Sequence, residues 1–410
     1  MNRSPKTALV LAGGGIAGAV YEIGALRAID EMLVKRTVND FDIYVGTSAG
    51  ALVNAFVCNG FTPSQIMQLL DNRHPELRSF AASDVFHMNW EGLARRWHKW
   101  PLALWNIGRK IFLHGREVAL LDLLWEWSEV LPSGLYNGAA LEQYVSHILL
   151  GAQRANRFHA LAKDLYIVAT ELDNGERAVF SRYHQDEVPI SLAVAASSAI
   201  PLLYQPVEIH GQDYVDGGLQ GAASLDLAIE AGAELVVCVN PMTPLDATTY
   251  YPGQHYIRER GFQAIINQSV RTLFHSSVRY HIKNLRVKYP EVDIILIQPH
   301  WDDYRMFAYN PMNYSSRVAV AEHGYKTVMQ GMRRDFHLFQ TILARHNITL
   351  NAETAMRDMG DAEAIQPLFP AKPEATKSRT SLDDMLNELE NNLKQLDRFV
   401  GQPDVPTPQL

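Results

Sequence analysis

Gly46-Thr47-Ser48-Ala49-Gly50 sits between the apolar run Phe41–Val45 and the small apolar segment Ala51–Cys58. The first reads as a buried strand and the second as a helix packed behind it. G-x-S-x-G in that context is the nucleophile-elbow pattern, in which the serine occupies a strained turn that lifts its hydroxyl above the sheet. Gly46 and Gly50, two positions either side, let neighbouring backbone pass without collision. The helix after the turn aims free amides and a partial positive charge at an oxyanion forming beside Ser48. Alone, the pentapeptide recurs by chance; the strand before it and the helix after it make it informative.

Toward the N-terminus, Ala8–Ala12 is another short apolar run, followed by Gly13-Gly14-Gly15-Ile16-Ala17-Gly18. Val20, Ile23, Leu26, Ile29 and Leu33 then recur every three or four residues, marking an amphipathic helix. The amides of such a glycine loop are ready donors to an oxyanion. The same letters satisfy G-x-G-x-x-G, a dinucleotide fingerprint, which needs an acid at the far end of the second strand for the ribose. Here that far end is Gly46-Thr47-Ser48, while Asp42 lies near the start. A Rossmann-type nucleotide-binding enzyme is thus the alternative rather than the leading reading.

Toward the C-terminus, Leu165–Thr170 and Ala178–Ser181 flank Asn174-Gly175, a dipeptide that favours a hairpin turn. Val188–Ala199 reads as a buried helix ended by Pro201, and Leu235–Asn240 and Val292–Gln298 as core strands. Helical spacing runs through Ile266, Val270, Leu273, Ser277, His281 and Leu285. Strand and helix alternating in this way predict an α/β fold, with a mixed, mostly parallel central sheet covered by helices on both faces. Asp213-Tyr214-Val215-Asp216-Gly217-Gly218 completes the set of motifs. Asp-Gly-Gly is in isolation a common turn.

The glycine loop, the elbow and the Asp-Gly-Gly turn, in this order, resemble the patatin-like phospholipase family. Ile167–Phe180 (IVATELDNGERAVF), Ala193–Val207 (AVAASSAIPLLYQPV) and Tyr214–Gly218 (YVDGG) are similar to it too, and the likeness is clear over about residues 6–240. The resemblance implies a three-layer α/β/α fold and a Ser–Asp dyad acting on lipid esters. It implies Ser48 as nucleophile, Asp216 as general base, and the amides of Gly13, Gly14 and Gly15 as oxyanion hole. Two positions depart from the family pattern. Ala17 stands where a basic residue is usual, and Leu219-Gln220-Gly221-Ala222 stands where an Asn-Pro pair usually follows the turn. A catalytically inactive, lipid-binding relative is therefore a further alternative.

In a dyad one carboxylate does the work of a histidine. An aspartate near its ordinary pKa of about 3.9 is a feeble base toward a serine hydroxyl, and burial is what raises it. Water activated at the same carboxylate then clears the acyl-enzyme. No metal and no cofactor is expected, since the histidines show no HExxH or paired ligand spacing. A Ser-His-Asp triad is the mechanistic competitor, with His300 or His323 as its histidine.

The chain has 410 residues and a formal net charge of −8, which argues against a nucleic-acid partner bound by bulk charge. Two cysteines, Cys58 and Cys238, exclude a disulfide framework and suit a reducing, cytoplasmic compartment. Arg3 and Lys6 ahead of Thr7–Ala12 imitate a signal peptide, but the run is short and ends in glycines, as a strand entering a loop does.

The expected organisation is a catalytic domain over residues 1–350, a linker over 351–381 and an amphipathic helix over 382–400. The linker is rich in Pro, Lys, Ser, Thr and Ala, and the last helix carries Leu382, Leu386, Leu389, Leu393, Leu396 and Val400 as one seam. That seam is a candidate contact for a homo-oligomer. Within the catalytic domain, residues 87–127 form a Trp-rich, basic insertion. Residues 87–116 carry six basic residues against the single acid Glu91, and Trp90, Leu93, Trp97, Trp100, Leu104, Ile107 and Ile111 share a helical face. This combination suits a headgroup-level membrane contact and a peripheral location.

Overall fold

The computed structural model describes residues 5–96, 101, 105, 109, 131–250 and 257–356. Ten strands are present among them: β1 (Lys6–Leu11), β2 (Ile43–Thr47), β3 (Gly134–Tyr136), β4 (Asp164–Glu171), β5 (Arg177–Phe180), β6 (Leu202–Tyr204), β7 (Val207–Ile209), β8 (Gln212–Asp216), β9 (Ala233–Val239) and β10 (Asp293–Ile297). The main sheet runs β10-β9-β1-β2-β4-β8-β7, and β3 and β6 pair apart from it. From β10 to β4 all neighbours are parallel, while β5, β8 and β7 add antiparallel pairs.

The helices that cover this sheet are α1 (Gly15–Met32), α2 (Ala49–Cys58), α3 (Pro63–Leu70), α4 (Ala139–Gly151), α5 (Ile190–Ser197), α6 (Leu225–Glu230), α7 (Phe262–Lys288) and α8 (Arg317–Arg334). The strands are continuous apolar runs because both faces are covered. Ala8, Val10, Ile43, Val45, Tyr166, Val168, Val236 and Cys238 point to one face, where they meet α6 and the long α7. On the other face α2 and α5 contact the strands, and α1 packs on α2, α3 and α8. The result is the three-layer, mostly parallel α/β architecture that the motif order implies. Cys238 is buried in β9 and Cys58 closes α2, both as free thiols.

One junction in this sheet brings two distant turns together. Thr47, the last residue of β2, is in register with Val168 of β4, and Asp216, the last residue of β8, is in register with Ala169. β5 takes the opposite edge of β4 over Ile167–Thr170. So β2 and β8 occupy the same edge in succession and meet end to end.

The body continues past residue 350. Asn351 N–H donates to Met32 O at 2.8 Å, and Ala352–Met356 is a helical turn against α1. The chain divides into a unit ending at Arg357 and a second from Asp358 to Leu410, and the expected helix over 382–400 lies outside the described residues. Of the Trp-rich insertion, Trp90–Arg96 is helical, while Trp97, Trp100, Leu104, Ile107 and Ile111 also lie outside them. No described helix is long and apolar enough to cross a membrane.

α1 and α8 cross backbone against backbone. A Cβ on Gly24 would lie 2.1 Å from Ala321 O, and one on Gly324 would lie 2.7 Å from Tyr21 O. Gly331, also in α8, has nothing within 4 Å of that position. Gly24→Ala should therefore cost at least about 2 kcal/mol through overpacking. Gly331→Ala should instead add about 0.5–1 kcal/mol by removing chain entropy from a helix interior. Thermal or urea unfolding of the two variants checks the opposite signs.

Candidate active site

Ser48 joins β2 to α2 with φ 53° and ψ −120°, a positive φ that a residue with a side chain adopts only under constraint. The constraint is visible on both sides. A Cβ on Gly46 would lie 2.5 Å from Ala51 Cα, and one on Gly50 would lie 2.3 Å from Leu11 O. With only hydrogen at both positions, α2 starts directly against β1 and β2, and the turn has no room to relax. Ser48 N–H donates to Ser197 Oγ at 2.8 Å, and that hydroxyl donates to Val168 O at 2.6 Å. Ser48 O accepts from Ala51 N–H at 3.0 Å, from Leu52 N–H at 3.3 Å and from Ser198 Oγ at 3.5 Å. Ser197 and Ser198 thus set the elbow. In the sequence they are visible only as two adjacent hydroxyls where a small, mostly apolar helix ends, within the stretch Ala193–Val207.

Asp216 arrives from β8 at the same edge of β4. Its N–H donates to Ala199 O at 2.9 Å, and its carbonyl accepts from Thr170 Oγ1 at 3.1 Å. Oδ1 accepts from Gly218 N–H at 2.7 Å. Gly217 has to be glycine because a Cβ there would lie 2.3 Å from Val168 O and 3.2 Å from Thr47 Cγ2. Ser48 and Asp216 are 4% and 7% exposed, and Oδ2 of Asp216 is buried without a hydrogen-bond partner. Burial pushes the carboxyl from 3.8 up to about 6, with the Ser48 side chain and the Gly218 amide opposing the rise.

The glycine loop lies on the other side of Ser48. A Cβ on Gly13 would lie 3.3 Å from Ser48 Cβ; Gly15 has φ +63° and faces Pro311 O, and Gly14 packs on Pro241. The three amides are not equivalent. Gly13 N–H donates to Ala222 O at 3.1 Å, so it is occupied, whereas Gly14 and Gly15 N–H donate to no group among the described residues. Of the three amides expected at an oxyanion, that of Gly13 is engaged by Ala222, which ties the loop to the Leu219–Ala222 segment. Ala17 is buried and donates its N–H to Pro311 O at 2.9 Å, so a methyl fills the place of the family's basic residue.

An apolar cavity opens from Ser48. Its walls are one face of α1 (Gly15, Ile16, Ala19, Val20, Ile23) and one face of α2 (Ala49, Leu52, Val53, Phe56), closed by Ile66 and Leu69 of α3 and by Phe80 and Tyr144. From Ser48 to Phe56 the helix rises about 12 Å, two turns away from the nucleophile.

No histidine lines this cavity among the described residues. His300 follows β10, about 14 Å from β2 across three strand spacings, and bonds Asp302; His323 bonds Asp303 at 2.7 Å. Among the described residues the triad reading has no histidine beside Ser48. The dinucleotide reading fares no better, because Asp42 accepts from Thr7 N–H at 2.8 Å at the opposite end of the sheet.

The raised Asp216 pKa has a consequence for stability. Between pH 3.8 and about 6 the folded protein holds a proton that the unfolded chain has lost, so stability falls as pH rises through that window. Asp216→Asn should therefore be more stable than the native protein at pH 8, by up to about 3 kcal/mol, and no more stable near pH 3. Urea unfolding at the two pH values measures this.

A family model described as patatin-like phospholipase matches residues 9–229. Protein YqhO of Bacillus subtilis is 25% identical over 51% of this chain and 62% of its own length. Protein YjjU of Escherichia coli is 28% identical over 62% of this chain and 56% of its own. The chain thus spans about three fifths of these relatives, both of which are uncharacterized. A cUMP-AMP-activated phospholipase of Escherichia coli is 33% identical over 21% of this chain and 27% of its own. Among solved structures, VipD of Legionella pneumophila gives a TM-score of 0.35 at 15% identity, over 80% of this chain and 66% of VipD. ExoU of Pseudomonas aeruginosa, in complex with SpcU, gives 0.27 at 13% identity, over 84% and 64%. The family match spans more than half of the chain, from the first strand through the Asp-Gly-Gly turn, and the chain belongs to the patatin-like phospholipase family.

Proposed function

We propose that this protein hydrolyses carboxylic esters of lipids, with Ser48 as nucleophile and Asp216 as general base. The observation that carries the proposal is the junction of a strained, buried serine, a buried carboxylate with one oxygen unpartnered, and an apolar cavity opening from the serine. The family, and a phospholipase among its relatives, support the lipid ester as substrate class.

Asp216 takes the Ser48 proton as Oγ attacks the ester carbonyl. The negative charge that develops on the carbonyl oxygen is met by the N–H groups of Gly14, Gly15 and Ala49, at the N-terminus of α2. The carbonyl re-forms and the alcohol, a lysolipid or a glyceride, leaves with the proton from Asp216. A water then gives a proton to Asp216 and its hydroxyl to the acyl carbon, the bond to Ser48 Oγ breaks, and Oγ takes the proton back from Asp216 as a fatty acid leaves. Throughout, the acyl chain lies in the cavity between α1 and α2.

Ser48→Ala should lower turnover of a lipid ester by at least about 10⁴-fold, and Asp216→Asn nearly as much, with alanine at His300 or His323 mild. A fluorophosphonate should add its mass at Ser48 and nowhere else. Large loss at either histidine, with Asp216 tolerant, would move the reaction to a triad, and an unlabelled, inactive native protein would leave an inert lipid binder. Because the base has to be unprotonated, kcat/KM should rise with pH through about 6. Leu52→Trp fills the cavity about one helical turn from Ser48. It should suppress hydrolysis of long-chain esters while sparing acetyl esters, as a chain-length panel would show.

A further inference from the structure

α7 is apolar on two opposite sides. Val278, Ile282 and Leu285, with Arg271, lie within a stripe about 60° wide and pack into the body. On the opposite side, Phe262, Ile266, Leu273, Tyr280 and Val287 fall within a second arc about 60° wide, interspersed there with Ser269 and Asn284. Four of them are 78%, 68%, 69% and 80% exposed, in the order Phe262, Leu273, Tyr280, Val287. The five lie in line along about 37 Å of the helix, from Ile266 onward about 10 Å apart, and their alignment on one side exceeds what scattered surface residues show.

Charge tells what this stripe meets. α7 holds Arg271, Arg279, Lys283, Arg286 and Lys288 and no acidic residue, in a chain whose net charge is −8. By helical position, Arg279 and Lys283 flank the stripe on one side and Lys288 on the other. Two copies of so cationic a helix repel each other when paired face to face, which disfavours a second copy of this chain as the partner. An apolar stripe flanked by cations matches an anionic lipid surface, where the stripe enters the acyl boundary and the cations meet headgroups.

We infer that α7 is a membrane-docking helix that seats the protein on anionic bilayers through Phe262, Ile266, Leu273, Tyr280 and Val287. Nothing in this surface depends on the dyad chemistry. It does touch the catalytic region, since the Phe274 ring of α7 lies against Gly218 in the turn that carries Asp216.

The experiment is flotation of the full chain with vesicles of phosphatidylcholine alone and of phosphatidylcholine mixed with phosphatidylglycerol. The protein should float with the anionic vesicles, and less at high salt. Leu273→Asn/Tyr280→Asn should abolish flotation, and Arg279→Glu/Lys283→Glu should weaken it about 30-fold or more. Both double variants should keep native turnover of a soluble short-chain ester and a native Tm, because they change exposed positions only. Absence of flotation, or flotation that ignores both variants, overturns the inference. So does a lipid-free dimer, seen by light scattering, that Leu273→Asn/Tyr280→Asn converts to monomer, which would assign the stripe to a second copy. A lowered Tm in that variant would show the stripe to be covered by the chain itself, and would overturn it too.

Discussion

β4 is longer than the strand beside it, and everything at the site depends on how its free edge is used. β2 stops at Thr47 opposite Val168, and β8 enters from the other direction and stops at Asp216 opposite Ala169. Two strands that end head to head on one edge deliver their succeeding turns to one point. That is how Ser48 and Asp216, 168 positions apart in the chain, come to share one buried junction, with no histidine beside them among the described residues. The junction has almost no slack, because Gly46, Gly50 and Gly217 each sit where a Cβ would strike backbone.

Such tight packing stores unfavourable features that a looser site would shed. Ser48 keeps a positive φ, at a cost on the order of 1–3 kcal/mol, because Gly46 and Gly50 leave the turn no room and Ser197 holds its amide. Asp216 keeps a carboxyl removed from water, with one oxygen held by Gly218 and the other unpartnered. The same burial that destabilises its charged form raises its basicity, so the stability lost as pH rises from 3.8 to about 6 and the basicity gained have one cause. The rest of the sheet, with its continuous apolar strands covered on both faces, supplies the stability that offsets these strained positions.

The faces of the sheet divide the remaining work. The α1–α2 side holds the glycine loop, the elbow and the apolar cavity, so Ser48, the unengaged amides and the cavity share one layer. The α6–α7 side backs the Asp-Gly-Gly turn through Phe274 and turns an apolar, cation-flanked stripe outward. The two faces thus present different surfaces, an enclosed apolar one beside Ser48 and an exposed one along α7.

The order of the elements was legible in the sequence, since apolar runs bounded by glycines and three-to-four spacing depend on near neighbours alone. β1, β2, β4, β9 and β10, the Asn174-Gly175 hairpin, the buried helix before Pro201 and the elbow at Ser48 all come from local patterns. Asp-Gly-Gly stands out only by its place after the glycine loop and the elbow and through family resemblance, because a turn motif does not say which strand edge will carry it. The short strands β3, β6 and β7 left no periodic signal, being three residues each. Three things required the tertiary structure. Gly13 differs from Gly14 and Gly15 only because Ala222 O, far along the chain, takes its amide. Ser197 and Ser198 matter only because α5 packs against the elbow. The outward stripe on α7 reads in sequence like any core-facing helix, since periodicity reports that a helix has apolar faces but not which of them the fold will cover.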